Sequence, residues 1–346
     1  MPHKLPNRRF GDVDNRSEAI DWLDALARAN FKSFDQLAID DRISPSDYLQ
    51  VLTEARYKLK YAVSDSNSNT GDLTFTITEG GLCYTYNSAV ALYNSPGYWA
   101  NGSRNLDTSI SIFKGSPLDG DVFAQVMDLN SGYTAYIHSP YEIPDASTPS
   151  HTSLENLYLS IDITALSTES SNEIKVLPIA RRKCRFMEES NLKSSPVYSY
   201  NHCRSECRMA LAFKLCRCVP YFYRPMGYPT CGIEGMKCLG RHKERLIKLQ
   251  EGLVKEDCAC LPPCNNVVYN VYSSGSTPWY LGTNLKFGLL KYPRTRLKRD
   301  LLFTGSDLLV QLGGSASLCL GCSILSFCEL VYLFTLRLFL FIRGRR

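Results

Sequence analysis

The chain has 346 residues, 44% of them hydrophobic, enough to bury the core of one large domain or two ordinary ones. Its formal charge of +5 comes from 39 basic against 34 acidic residues, and much of the excess sits in two runs near the carboxyl end, a pattern that gives no support to nucleic-acid binding. Fourteen cysteines are many for this length and suit an oxidising compartment.

Residues 1–70 read as a polar, part-helical extracellular segment, in which Ser17 caps a one-faced helix carrying Ile20, Trp22, Leu23, Leu26 and Ala27. The sequons Asn15-Arg16-Ser17 and Asn101-Gly102-Ser103 mark Asn15 and Asn101 as acceptors of N-linked sugar in a secretory compartment. No apolar run within residues 1–30 would start translocation, so this reading expects a further segment upstream. Residues 71–183 favour strands, with alternations such as Leu73-Thr74-Phe75-Thr76-Ile77 broken by Asn, Gly, Ser and Pro turns, and predict a β-rich body.

From 184 to 264 the period becomes helical, over 205–215 and 241–255, with Leu246, Ile247, Leu249, Leu253 and Val254 supplying apolar contacts to the second stretch. Residues 265–307 return toward the membrane and include a short flexible stretch at 273–277 and the basic run Arg294, Arg296, Lys298 and Arg299. Residues 308–342 are almost wholly apolar, interrupted by Gln311, Glu329 and Arg337, and predict one membrane span rather than the core helix of a soluble protein. A tail at 343–346 carries Arg343, Arg345 and Arg346. With basic residues on both sides, the positive-inside rule does not orient the span.

Cys203 and Cys207 lie four apart on a predicted helix, hence on one face and about 6 Å apart along its axis. Cys258 and Cys260 lie two apart, about 6.6 Å on one side of an extended chain. The two spacings fit an antiparallel ladder, Cys203 with Cys260 and Cys207 with Cys258, inside an outer Cys184–Cys264 bridge, with Cys216, Cys218, Cys231 and Cys238 closing the hairpin tip. Sequence alone does not choose this among the many pairings open to ten cysteines. Zinc ligation with His202 is the rival, disfavoured by the oxidising compartment and by a total of only five histidines.

Within the span, Gly314, Ser317 and Gly321 fall at i, i+3 and i+7 and leave one helix face nearly bare. That face is either a packing seam or the wall of a pore, where Ser323 and a locally unwound backbone at Gly321 supply oxygens to a partly dehydrated cation. Glu329 is costly inside a membrane unless it meets water or a partner; a ring of such carboxylates would attract cations, and an interfacial position is its plainer explanation.

Several stretches together resemble one family. Gly81-Leu82-Cys83-Tyr84-Thr85-Tyr86-Asn87 resembles Gly-x-Cys-Tyr-Thr-Phe-Asn, and His138-Ser139-Pro140-Tyr141-Glu142-Ile143-Pro144 resembles His-Ser-Pro-x-Glu-Ile-Pro. Cys203-x3-Cys207, Cys216-Arg217-Cys218 and Cys258-Ala259-Cys260-Leu261-Pro262-Pro263-Cys264 follow in the same order, and 308–314 with Gly321-Cys322-Ser323 resemble a second membrane span. The family is the amiloride-sensitive degenerin/epithelial sodium channels, closest to the insect pickpocket branch, and the resemblance runs from about residue 71 to the end.

The resemblance implies an α+β fold: a disulfide-rich, hand-like extracellular domain with β-rich palm, β-ball and finger over 71–183 and a helical thumb over 184–264, then a pore helix at 308–342. It implies the bridges Cys184–Cys264, Cys203–Cys260, Cys207–Cys258, Cys216–Cys238 and Cys218–Cys231. It makes Gly321, Cys322 and Ser323 the selectivity filter, Gly314 the position associated with amiloride block, and Val310 the degenerin position at the gate. Cys83 pairs in the family with a cysteine just after a first span, and here it has no such partner, so truncation is expected to leave it unpaired. No histidine precedes a glycine, so the family's cytosolic His-Gly gating motif is absent too.

The implied function is a subunit of an integral plasma-membrane sodium channel, a homo- or heterotrimer with related subunits, passing sodium ions passively when an unknown external ligand or stimulus acts. A truncated, non-conducting membrane protein whose ectodomain binds ligand or partner subunits is the alternative. No cofactor or resident metal is implied, and no Gly-rich phosphate loop or nucleophile–base pattern points to an enzyme.

Overall fold

The computed structural model describes residues 13–56, 59–66, 72–101, 106, 112–113, 115–116, 118, 120–252, 254–293, 295–321 and 323–344. In chain order the elements are α1 (Val13–Ala27), α2 (Tyr48–Ala55), β1 (Ala62–Asp65), β2 (Thr74–Thr78), β3 (Gly81–Thr85), α3 (Pro96–Ala100), β4 (Phe123–Leu129), β5 (Tyr133–Tyr136), β6 (Ser150–Ser153), β7 (Leu157–Ser170), α4 (Ile179–Arg182), α5 (Tyr200–Cys216), α6 (Ile233–Arg241), α7 (Lys243–Lys248), β8 (Gln250–Glu251), β9 (Val254–Lys255), β10 (Asn266–Pro278), β11 (Thr283–Leu289), β12 (Arg296–Arg299), α8 (Gly305–Leu320), α9 (Ile324–Tyr332) and α10 (Leu338–Arg343). They form two compact units, Met1–Ser170 with Pro178–Lys298, and Ser171–Leu177 with Arg299–Arg346.

The first unit is α+β. Its main sheet runs β1-β4-β11-β7-β10, with β12 also paired to β7, and all of the registered pairs are antiparallel except β11 with β7. The period-2 pattern works as it must in a half-buried strand: Leu159, Ile161 and Ile163 of β7 turn inward and pack on Tyr269, Leu285 and Phe287. The 273–277 stretch, whose composition reads as flexible, is instead strand, because each of its residues pairs along β7, and the Ser273 hydroxyl donates to Asp162 at 2.6 Å.

A helical layer joins α1 and α2 to the cysteine-rich segment. Trp22, Leu23 and Leu26 of α1 share one core with Phe31, Phe34, Phe222, Met236 and Leu239. Helix α1 already begins at Val13, so Ser17 lies in its interior and does not cap it. The β2–β3 turn is pressed against this helix. Gly81 takes a positive φ of 105°, and a Cβ there would sit 2.4 Å from the Ala27 carbonyl oxygen.

The helix expected at 241–255 is displaced. Helices α6 and α7 cover Ile233–Arg241 and Lys243–Lys248, Leu249 turns left-handed, and β8 and β9 form a small hairpin. The apolar spacing that reached Val254 was drawn from that hairpin, where Val254 is exposed. Helix α6 was hidden by Gly235 and Gly240, which weaken a helical reading but allow close packing, Gly240 against Phe34 and Asp35.

In the second unit, the Ser171 amide donates to the Arg299 carbonyl at 3.0 Å and the Ser171 hydroxyl to Asp300 at 2.7 Å. Thr304 and Asp307 form a reciprocal capping box that starts α8. The apolar stretch is not one continuous helix: α8 ends at Leu320, and Leu325–Arg343 follows as a helix of 19 residues with mean hydropathy 1.9, long and apolar enough to cross a membrane. Leu333–Arg337 within it is a π turn.

Candidate functional site

The interruption between α8 and α9 is built from short-range chemistry. Gly321 is left-handed, φ 62°, a conformation glycine adopts without cost, and its amide donates back to the Ser317 carbonyl at 3.0 Å. Ser323 restarts the helix in an extended conformation: its hydroxyl accepts the Ser326 amide at 3.2 Å, and the Ser326 hydroxyl accepts the Ser323 amide at 3.5 Å. A helix that ends here leaves its last carbonyls without intrahelical donors, so oxygens gather at a point where the surrounding sequence is apolar. Cys322 lies outside the described residues, as do Gly102, Ser103, Arg294, Arg345 and Arg346.

Around this break Val310, Gly314 and Ser323 are all exposed, and a Cβ added at Gly314 would meet nothing within 4 Å. Glu329 is exposed on α9. Cys319 and Cys328 are free and exposed. Asn101 is exposed in the turn after α3, and Asn15 falls within α1.

In the first unit the bridges are Cys184–Cys264, Cys203–Cys260, Cys207–Cys258, Cys216–Cys238 and Cys218–Cys231. Cys203 and Cys207 sit one turn apart on α5. Their partners flank Ala259, which is left-handed, so the opposing chain is kinked rather than regularly extended. Among the described residues, the one cluster with metal-binding proximity is Cys216, Cys238 and His242, and its two sulfurs are already bonded to each other. Cys83 on β3 is half-buried and free, 3.3 Å from the Thr78 hydroxyl, and burial raises its thiol pKa. It lines a cavity of about 1560 Å³, walled also by Tyr86, Tyr133, Tyr269 and Phe287.

A buried charge cluster went unnoticed in the sequence. Arg208 of α5 is fully buried; it pairs with Glu79 in the β2–β3 turn, donates to Asp145 at 3.2 Å, and donates to the Leu246 and Ile247 carbonyls at 2.7 and 3.3 Å. Glu79 also accepts the Tyr223 hydroxyl at 2.6 Å and the Ala146 amide at 2.7 Å. Burial alone would raise the Asp145 carboxyl, but Arg208 and Arg204 hold it below its ordinary value. Beside it, Glu142 receives the Tyr200 and Asn201 amides at 2.9 and 3.0 Å at the start of α5, while burial keeps its pKa raised. His202 is buried with Nδ1 3.0 Å from the Ser199 hydroxyl, and burial lowers it to about 4. The available signal was positional: Arg208 directly follows Cys207, and Glu142 and Asp145 lie in or beside the His138–Pro144 stretch.

A disulfide-stapled α+β unit followed in the chain by an apolar stretch that opens at a glycine, restarts at a serine and ends in a helix long enough to cross a membrane has the make-up of a membrane protein. The sequence pattern of the amiloride-sensitive sodium channels matches residues 13–333, and the chain belongs to that family. It is similar to Pickpocket protein 19 of Drosophila melanogaster, 28% identical over 208 residues that make up 54% of this chain and 40% of that protein. Sodium channel protein Nach of Drosophila virilis is 28% identical over 213 residues, 55% of this chain and 54% of that one. Acid-sensing ion channel 4-B of Danio rerio is 23% identical over 292 residues, 78% and 50% respectively. The chain spans about half the length of the curated relatives it matches.

Proposed function

We propose that this chain is a pore-lining subunit of an amiloride-sensitive sodium channel in the plasma membrane, with most of its mass extracellular, assembling as a homo- or heterotrimer with related subunits. The helix break at Gly321 inside the apolar stretch 308–342 is the observation that carries this reading, because it exposes backbone and hydroxyl oxygens just before the helix able to cross a membrane. In this scheme Gly321, Cys322 and Ser323 select sodium, Gly314 is the amiloride-associated position, Val310 lies at the gate and Glu329 attracts cations. Residues 71–183 form palm, β-ball and finger, 184–264 the thumb, and 265–307 the return to the membrane. An external stimulus acts on the ectodomain, and the tyrosine-walled cavity supports reception of a ligand there.

The test is voltage clamp of cells expressing the chain alone and with related subunits. A sodium-dependent, amiloride-sensitive current that Ser323→Ala alters in selectivity is the expected result. Surface-expressed protein giving no such current in any combination overturns the conducting role.

A further inference from the structure

Two charges interrupt the helix Leu325–Arg343 before its terminal arginine: Glu329 and Arg337. In a regular α-helix a separation of eight residues is two turns plus about 80°, so the two would face different directions, and Leu336, at i+7, would share Glu329's face. The π turn at Leu333–Arg337 changes this. Its hydrogen bonds close over i to i+5, so the turn holds one residue more than an α turn. Two turns then contain eight residues, and Arg337 falls under Glu329, about 12 Å further along the axis. Within the π turn the Thr335 hydroxyl donates to the Val331 carbonyl at 2.5 Å, a bond that Thr53 also makes to the Leu49 carbonyl in the regular helix α2.

Charges at membrane depth are tolerated where they meet water or a partner. Two opposite charges two turns apart are too distant to pair directly, so a shared face means a shared aqueous wall. We propose that the π turn sets Arg337 on the water-lined face of Glu329, where arginines of adjacent subunits form a cationic ring that slows sodium passage beyond the break at Gly321. The proposal rests on the pore-lining reading above and deepens it. Carboxylate rings favour cations and arginine rings oppose them, so the subunit carries its own brake in series with its attractor.

The face is tested on the full chain in inside-out membrane vesicles, with Cys319, Cys322 and Cys328 replaced by serine and one cysteine restored at a time. Glu329→Cys and Arg337→Cys are expected to react with a charged maleimide, and Leu336→Cys at least about tenfold more slowly. Equal labelling at 336 and 337, which interfacial placement would give, or faster labelling at 336, which a regular helix would give, overturns the proposal. The ring is tested by single-channel recording in assemblies that carry current. Arg337→Gln should raise unitary sodium conductance at least about twofold, while Arg337→Lys should leave it low. Unchanged conductance in Arg337→Gln overturns the ring with the pore reading intact. Absence of current in every assembly overturns the pore reading itself and the ring with it, and the labelling still decides the face.

Discussion

Replacing Arg208 with methionine keeps the volume of the side chain and removes its charge from between two buried carboxylates. Asp145 would retain Arg204 at 3.6 Å, whereas Glu79 would keep only the Tyr223 hydroxyl and the Ala146 amide. An uncompensated buried charge of this kind costs about 3–5 kcal/mol, and the Leu246 carbonyl would lose its guanidinium donor for about 1 kcal/mol more. At about 2 °C per kcal/mol for a domain of this size, the melting midpoint of the disulfide-intact chain in detergent should fall by about 10 °C. Intrinsic fluorescence read during a thermal ramp gives the midpoint. Adding Glu79→Gln to Arg208→Met neutralises the stranded charge and should recover part of the loss. A midpoint unchanged by Arg208→Met, or no recovery in the double variant, would refute the view that these ions hold one another in place.

Burial depresses the His202 imidazole from 6.5 to about 4, so the unfolded chain takes up the proton first as pH falls. Its contribution is fully present above about pH 6.5 and lost toward pH 4, roughly 3 kcal/mol in all; the difference in midpoint between the native chain and His202→Gln should shrink over that window, and a constant difference refutes the assignment. Gly321→Ala places a Cβ on a left-handed residue at a cost of about 1 kcal/mol and should shift the break, lowering sodium-over-potassium selectivity in conducting assemblies. Reversal potentials identical to those of the unsubstituted chain would remove the break from the selectivity mechanism. On the proposed gate position of Val310, where the family resemblance implies that bulk favours the open state, Val310→Gly should reduce resting current at equal surface expression; an unaltered resting current would sink that role.

The β-rich body and the membrane helix were legible because both rest on local patterns: period-2 alternation such as that over 73–77, which overlaps β2, and an apolar run too long for a globular helix; the α+β class came with the family resemblance. The apolar face of α1, with Leu26 on it, was legible, but the layer it forms with α2 and α6 was not. Phe31 and Phe34 are ordinary apolar residues in a polar context, and only their meeting with Phe222 and Met236, nearly two hundred positions away, makes them core. The Arg208 cluster was hidden for the same reason, since Glu79 and Arg208 are 129 residues apart and neither belongs to a motif. In the membrane segment the glycine pointed to unwinding at 321, but nothing in the residue types of 333–337 announces a π turn.

The docking of the amino-terminal helices has a mechanical consequence. Tyr221 donates to the Leu26 carbonyl at 2.8 Å, Phe31 and Phe34 pack against Phe222, and bridges at Cys216–Cys238 and Cys218–Cys231 lock the surrounding turns. Residues 19–52 and the segment 200–249 are therefore a single stiff lever: a pull exerted on the first is delivered to α5 with little slack. The Cys184–Cys264 bridge, with Cα atoms 5.0 Å apart, and the Ser170 hydroxyl, which donates to the Cys264 carbonyl at 2.7 Å, tie the cysteine-rich segment to the strands β7 and β10, so a displacement of α5 reaches the sheet through a covalent link.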